Sequence, residues 1–238
     1  MQEHTGMDIG VISDWFEYRP INRKAREGLD AAARSRLDFV GVEWSTLPDG
    51  TKTGQEVKML DYACGPGAMT RIYGPYVSEV KAIDLEPAMV ERYNKNKTTW
   101  DVAPGFVSSA IVGNLLSNPV TIEDRMYEAF DLITVGAALH HFPSAVEAVT
   151  RLAQLLRPGG VLLIQDLYSN REEKGTSVVG DRRKPHYFHE DEMKQTMEAG
   201  GLVDFRMEVY PQIFELELPN GDVRKIECFI ARAAQPKD

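Results

Sequence analysis

A chain of 238 residues with 43% hydrophobic and 26% charged side chains has the make-up of one folded soluble domain with its own core, which excludes a disordered or fibrous protein. Its 27 basic and 36 acidic residues give a net charge of −9, which argues against a nucleic-acid partner, since phosphates are neutralised by Lys and Arg. No apolar run approaches the ~20 residues that span a bilayer, so no membrane partner is expected.

The opening Met1-Gln2-Glu3-His4-Thr5 lacks a basic-then-apolar pattern, so the expectation is no secretory leader and a cytoplasmic protein. Cys64 and Cys228 are too few for a disulfide framework and fit a reducing compartment. Asp14 to Pro20 is rich in aromatics. Beyond it, Ile21, Ala25, Leu29, Ala32, Ala33 and Leu37 fall at helical spacing and predict a helix over Asn22–Leu37. Residues 1–45 are read as a helical lid on a pocket or a cover for the sheet, and 46–238 as the main domain. Residues 46–56 are polar and turn-rich, hence a loop.

Strands are then predicted at Val57–Tyr62, Glu79–Asp84, Gly105–Val112, Asp131–Gly136 and Gly160–Asp166. Helices are predicted at Ala68–Tyr73, Pro87–Thr98, Ser144–Leu156 and Glu190–Ala199. This alternation implies right-handed crossovers and a parallel sheet covered on both faces. Pro158 stops the helix before it, and Val161-Leu162-Leu163-Ile164 is the continuous apolar run of a central strand. Arg182-Arg183-Lys184 reads as a solvated loop. In the tail, Leu202–Val209 and Cys228–Ala233 read as strands with no helix between them, and Ile213–Leu218 reads as a short strand within their connection.

The chemistry concentrates at Leu60-Asp61-Tyr62-Ala63-Cys64-Gly65-Pro66-Gly67 and at Asp84. An apolar run ends in an acid, a glycine turn and a helical pattern follow, and a second run ends in another acid. That is the layout of a nucleoside-binding βαβ unit. Asp61 beside the turn repels a pyrophosphate and attracts an ammonium group. Pro66 lacks a phosphate-binding N–H, and Thr70 stands where a dinucleotide fingerprint needs glycine. The ligand should carry a positive charge near the turn and a ribose near Asp84, and S-adenosylmethionine has both.

These residues resemble motif I of the class I S-adenosylmethionine-dependent methyltransferases. The resemblance continues through Val112-Gly113-Asn114-Leu115, Phe130 to Phe142, and Leu156-Arg157-Pro158-Gly159-Gly160. It implies an α/β fold, a Rossmann-like doubly wound seven-stranded sheet, mostly parallel with an antiparallel C-terminal strand, plus an N-terminal helical lid. It implies that Asp61 holds the methionine ammonium, directly or through water, while Ala63, Gly65 and Gly67 let the backbone approach. Glycine is usual in this family where Ala63 stands. Asp84 would take the ribose hydroxyls, and Leu85 would pack on adenine or in the core. Asn114 would accept from the adenine amino group or simply make a turn. Leu115 would offer its backbone N–H. Val135 would face the methionine half or pack in the core.

His140 and His141 follow the fourth strand at the pocket lip, as a base or as residues that hold the loop. Trp15, Tyr18, His140, Tyr187 and Phe188 are candidates to wall the acceptor pocket. No histidine or cysteine spacing matches a zinc site, so no metal is expected. The reading is a cytoplasmic S-adenosylmethionine-dependent methyltransferase that moves a methyl group to a small organic acceptor by in-line displacement. The alternatives are a non-catalytic member that regulates a partner and an NAD(P)-dependent oxidoreductase.

Overall fold

Runs that are apolar at every position form strands buried on both faces, and here they lie side by side. The computed structural model describes residues 18–100, 107–117, 128–169 and 186–237. Its strands are β1 (Lys58–Tyr62), β2 (Glu79–Asp84), β3 (Val107–Val112), β4 (Phe130–Gly136), β5 (Leu156–Tyr168), β6 (Val203–Val209), β7 (Phe214–Glu217) and β8 (Val223–Ala234). They make one sheet of order β3-β2-β1-β4-β5-β8-β6, with β7 paired to β8 off that path. β1 to β5 are mutually parallel, and β8 runs antiparallel to β5, β6 and β7. The expected seven strands are therefore present with the antiparallel C-terminal strand, and the short Phe214–Glu217 strand is the eighth.

The helices are α1 (Pro20–Arg34), α2 (Leu37–Val40), α3 (Ala68–Tyr73), α4 (Pro87–Asn96), α5 (Ala145–Ala153) and α6 (Glu190–Ala199). Strand alternation divides the core in two. Met59, Leu132 and Leu163 pack with Ala25, Ala33 and Val40 from α1 and α2 and with Met69 and Ile72 from α3. Leu60, Ile133 and Ile164 pack on the other face with Val149 and Leu152 from α5 and Met193 and Met197 from α6. Ser144 accepts the Glu147 N–H at 3.2 Å and caps α5. Asp131 starts β4 by accepting the Lys58 N–H at 2.8 Å and pairing with Arg157.

The predicted N-terminal helix is present, and its Ala25, Ala32 and Ala33 pack against the sheet face that carries Met59, Leu132 and Leu163. Asn22, 1% exposed, donates to the Glu217 carbonyl at 3.0 Å and accepts the Glu217 N–H at 2.7 Å, so α1 docks on β7 as a further strand would. Asp30 pairs with Arg71 of α3 at 2.8 Å. Because Tyr168 of β5 pairs with Glu227, the first residues of β8 project past the end of β5 and carry β7 and the start of α1 with them. The start of α1 therefore stands at the carboxyl edge of the parallel strands. Among the described residues no helix is long and apolar enough to cross a membrane.

Candidate functional site

Strand order reverses between β1 and β4, and open α/β sheets bind ligands beyond the carboxyl ends at such a point. The glycine loop lies there. Ala63, Gly65 and Gly67 all have positive φ, at 55°, 50° and 96°. A Cβ on Gly65 would meet nothing within 4 Å, so the backbone there faces open space. A Cβ on Gly67 would fall 2.4 Å from the Trp100 ring, so only glycine fits. Ala63 holds a left-handed conformation that costs an alanine roughly 1 kcal/mol, strain that the usual glycine would avoid.

Asp61 is fully buried and turned away from solvent. Its Oδ2 accepts the Thr70 N–H at 3.0 Å and the Thr70 hydroxyl at 2.7 Å, which caps the first turn of α3 from a neighbouring strand. Tyr93 donates to Thr70 Oγ1 at 3.0 Å, and Ser108 lies 2.6 Å from the Tyr93 hydroxyl as its donor. Burial pushes the Asp61 carboxyl up to about 7, against the opposing pull of the Thr70 hydrogen bonds. Of the two expected modes, direct or through water, the burial of Asp61 leaves its carboxylate no surface for direct contact in this structure.

Asp84 ends β2 with 9% of its surface exposed. Its Oδ2 accepts the Gly65 N–H at 2.7 Å and its Oδ1 the Glu86 N–H at 2.9 Å. Burial raises its carboxyl and these hydrogen bonds pull it back. Leu85 is 56% exposed beside it, not part of the core. Asn114 holds the turn that was one of its two expected roles. Its carbonyl oxygen accepts the Tyr62 hydroxyl at 3.0 Å and the Leu116 N–H at 2.8 Å, so both lone pairs are committed to the turn. The Leu115 side chain is buried in the core. Val135 is fully buried in the same core, so packing explains it.

After β4, His140 is 7% exposed and its Nδ1 lies 2.6 Å from Asp166 Oδ1. Asp166 Oδ2 also accepts the His140 N–H at 3.2 Å. The exposed His141 ring lies against His140 with centroids 3.9 Å apart. Asp166 escaped the sequence reading, yet it bears the signal that marked Asp61 and Asp84, an acid at the end of an apolar strand. Phe188 is corrected to a core residue. It is fully buried, with its ring edge-on to Phe229. Its backbone donates to the Leu167 carbonyl at 3.0 Å, which extends the sheet beside β5 and leaves half-buried Tyr187 on the opposite side of the segment. Tyr18 is 62% exposed just ahead of α1, and Trp15 lies outside the described residues. Among the described residues no group of three or more metal-ligating side chains comes together.

Burial raises the folded Asp61 carboxyl from the ordinary 3.8 to about 7, so it favours the fold fully only below about pH 4, and that contribution is lost as pH rises from there to about 7. Asp61→Asn keeps an acceptor for Thr70 without the charge. Its melting temperature should match the wild type below about pH 4 and exceed it increasingly as pH rises to about 7, by on the order of 1–3 kcal/mol of stability. Thermal denaturation across that range checks the sign.

The methyltransferase domain family matches residues 22–205, well over half of the chain. An uncharacterised methyltransferase of Bacillus subtilis, YcgJ, is 27% identical over 188 residues, 77% of this chain and 68% of YcgJ. Its crystal structure superposes with a TM-score of 0.61 at 15% identity, covering 87% of this chain and 99% of that one. A ubiquinone biosynthesis O-methyltransferase of Xanthomonas campestris is 26% identical over 145 residues, 61% of this chain and 54% of that protein. The N-methyltransferase NodS of Bradyrhizobium japonicum, solved with S-adenosylhomocysteine, shares the fold with a TM-score of 0.56 at 17% identity, covering 93% and 90% of the two chains. The matched stretch spans between 40% and 68% of the length of the first curated relatives. Family match, strand order and the glycine loop between two strand-end acids agree: the chain belongs to the methyltransferase domain family, of the class I S-adenosylmethionine-dependent type.

Proposed function

We propose that this chain transfers a methyl group from S-adenosylmethionine to a small organic acceptor at the carboxyl edge between β1 and β4. The observation that carries the reading is the pair Asp61 and Asp84 on either side of Gly65, whose Cβ side is open. Two of the four lone-pair positions of Asp84 serve Gly65 and Glu86, and the other two suit a pair of vicinal ribose hydroxyls. Exposed Leu85 offers an apolar surface for adenine. The buried Asp61 charge supplies a negative field behind the loop for an ammonium group. When bound, the cofactor supplies a sulfonium methyl that is open to in-line displacement by an acceptor lone pair.

His140 and Asp166 serve the acceptor side. With Nδ1–H donating to Asp166, Nε2 carries the free lone pair of the neutral His140 ring, suited to remove a proton from an acceptor. Tyr187 stands at the same edge as a wall. The acidic balance of the chain supports a small acceptor over a nucleic acid. So do the names of the relatives, one an O-methyltransferase of ubiquinone biosynthesis and one an N-methyltransferase. The two cysteines are buried and unpaired, which supports a reducing, cytoplasmic setting.

Isothermal titration with S-adenosylhomocysteine should show saturable binding by the wild type. Asp84→Ala should weaken it at least about tenfold, the loss of a charged hydrogen-bond acceptor. A folded wild type that binds no adenosyl ligand would refute the reading. Asp166→Asn should lower kcat about a hundredfold and flatten the acid limb of its pH profile, while the affinity for S-adenosylhomocysteine changes by less than about threefold. An unchanged kcat would leave His140 with the loop-holding role alone.

A further inference from the structure

The edge of the sheet opposite the glycine loop carries a second arrangement that methyl transfer does not use. Arg232 of β8 and Arg206 of β6 are direct cross-strand partners. Like charges placed so are destabilising unless something between them carries the opposite sign. Arg232 is 7% exposed, and its Nε is buried with no hydrogen-bond partner. Native structures seldom leave such a donor unmet. Burial and the Arg206 charge both act against the Arg232 guanidinium, and Asp204 is the one acid whose field favours it.

The surroundings leave the space open. Arg232 lines a cleft together with Gly41, Gly159, Val203, Asp204 and Lys237. Gly41, at φ 76°, ends α2 directly against the guanidinium. A Cβ there would stand 3.4 Å from its carbon, an ordinary contact distance, so the end of α2 forms one wall of the cleft. Asp204 sits in a β-bulge with φ 55°, a conformation that a sheet residue seldom adopts. Glu208, the next acid along β6, is already held by Arg36 at 2.8 Å.

We infer that this cleft is a binding site for a small oxyanion, a phosphate or carboxylate group, with Arg232 as its buried anchor and Arg206 and Lys237 at its rim. A planar guanidinium with an unmet N–H is built to hold two oxygens of one anion. An anion between the two arginines removes the like-charge conflict, satisfies Nε and leaves Asp204 on the solvent side. The site is separate from the cofactor edge, since Gly159 and the paired Val203 and Ala234 that line it stand at the amino end of the parallel strands, whereas the glycine loop lies beyond their carboxyl ends.

The test is thermal denaturation of the full chain against inorganic phosphate, glycerol phosphate and acetate, with sodium chloride at matched ionic strength as control. The wild type should show a saturable rise in melting temperature with at least one of these anions that chloride does not give. Tighter binding of glycerol phosphate would assign an organic phosphate, and equal binding would assign the free ion. Arg232→Met keeps the apolar stem, and it should weaken the response at least about tenfold. Should that variant not fold, Arg206→Gln at the exposed rim should weaken it measurably, and the Gly41 and Gly159 amide resonances of the wild type should shift with phosphate. A wild-type response no larger than that to chloride, or an unchanged response in both variants, would overturn the assignment.

Discussion

A carboxylate with no access to water holds the centre of this molecule together. Asp61 ends β1, accepts two hydrogen bonds from Thr70 in the first turn of α3, and receives through Thr70 the hydroxyls of Tyr93 from α4 and Ser108 from β3. Each proton in that chain points toward the acid, which polarises the chain and keeps a costly buried charge within reach of ionisation near neutral pH. The glycine loop is pulled taut between this anchor and Asp84, which takes the Gly65 N–H. The positive φ at Ala63, Gly65 and Gly67 follows from fixing both ends of so short a turn.

This frame separates two kinds of work. The carboxyl edge of β1, β2, β4 and β5 gathers Asp61, Asp84 and the His140–Asp166 pair, and the hairpin of β7 and β8 with the start of α1 stands over the same edge. The side where β8 lies between β5 and β6 sets Arg232, whose buried Nε has no hydrogen-bond partner, opposite Arg206. The antiparallel insertion of β8 produces both results. It lifts its first residues past the end of β5 and brings Arg232 down beside the bulge in β6.

The parallel half of the sheet was legible because β4 and β5 carry long apolar runs buried on both faces and the apolar runs of β1 and β2 lead into Asp61 and Asp84. The tail strands were legible because no helical period separates them. The face on which each site residue lies was harder. Period-two alternation places Asp61 with Met59, toward α3, so its burial could have been read from strand geometry once the strand was assigned. The commitment of Asn114 to Tyr62, and of Asp166 to His140, joins residues far apart in sequence whose pairing only the strand order creates. Phe188 looked like a loop aromatic because its segment has no periodic pattern. It is core because that segment takes the place beside β5 which β4 vacates. Arg232 is the charged residue in the buried half of β8, Cys228–Ala234, and nothing in the sequence shows that Arg206 stands opposite.

The account rests on a buried Asp61 that gives up its proton when a cation arrives in front of the loop. Carboxyl-carbon NMR of aspartate-labelled protein, with Asp61→Asn to assign the resonance, measures this directly. In the free protein the Asp61 signal should titrate near neutral pH, and with S-adenosylhomocysteine bound the same transition should move to lower pH. A resonance that titrates near pH 4 in both states, as an ordinary aspartate does, would contradict the account.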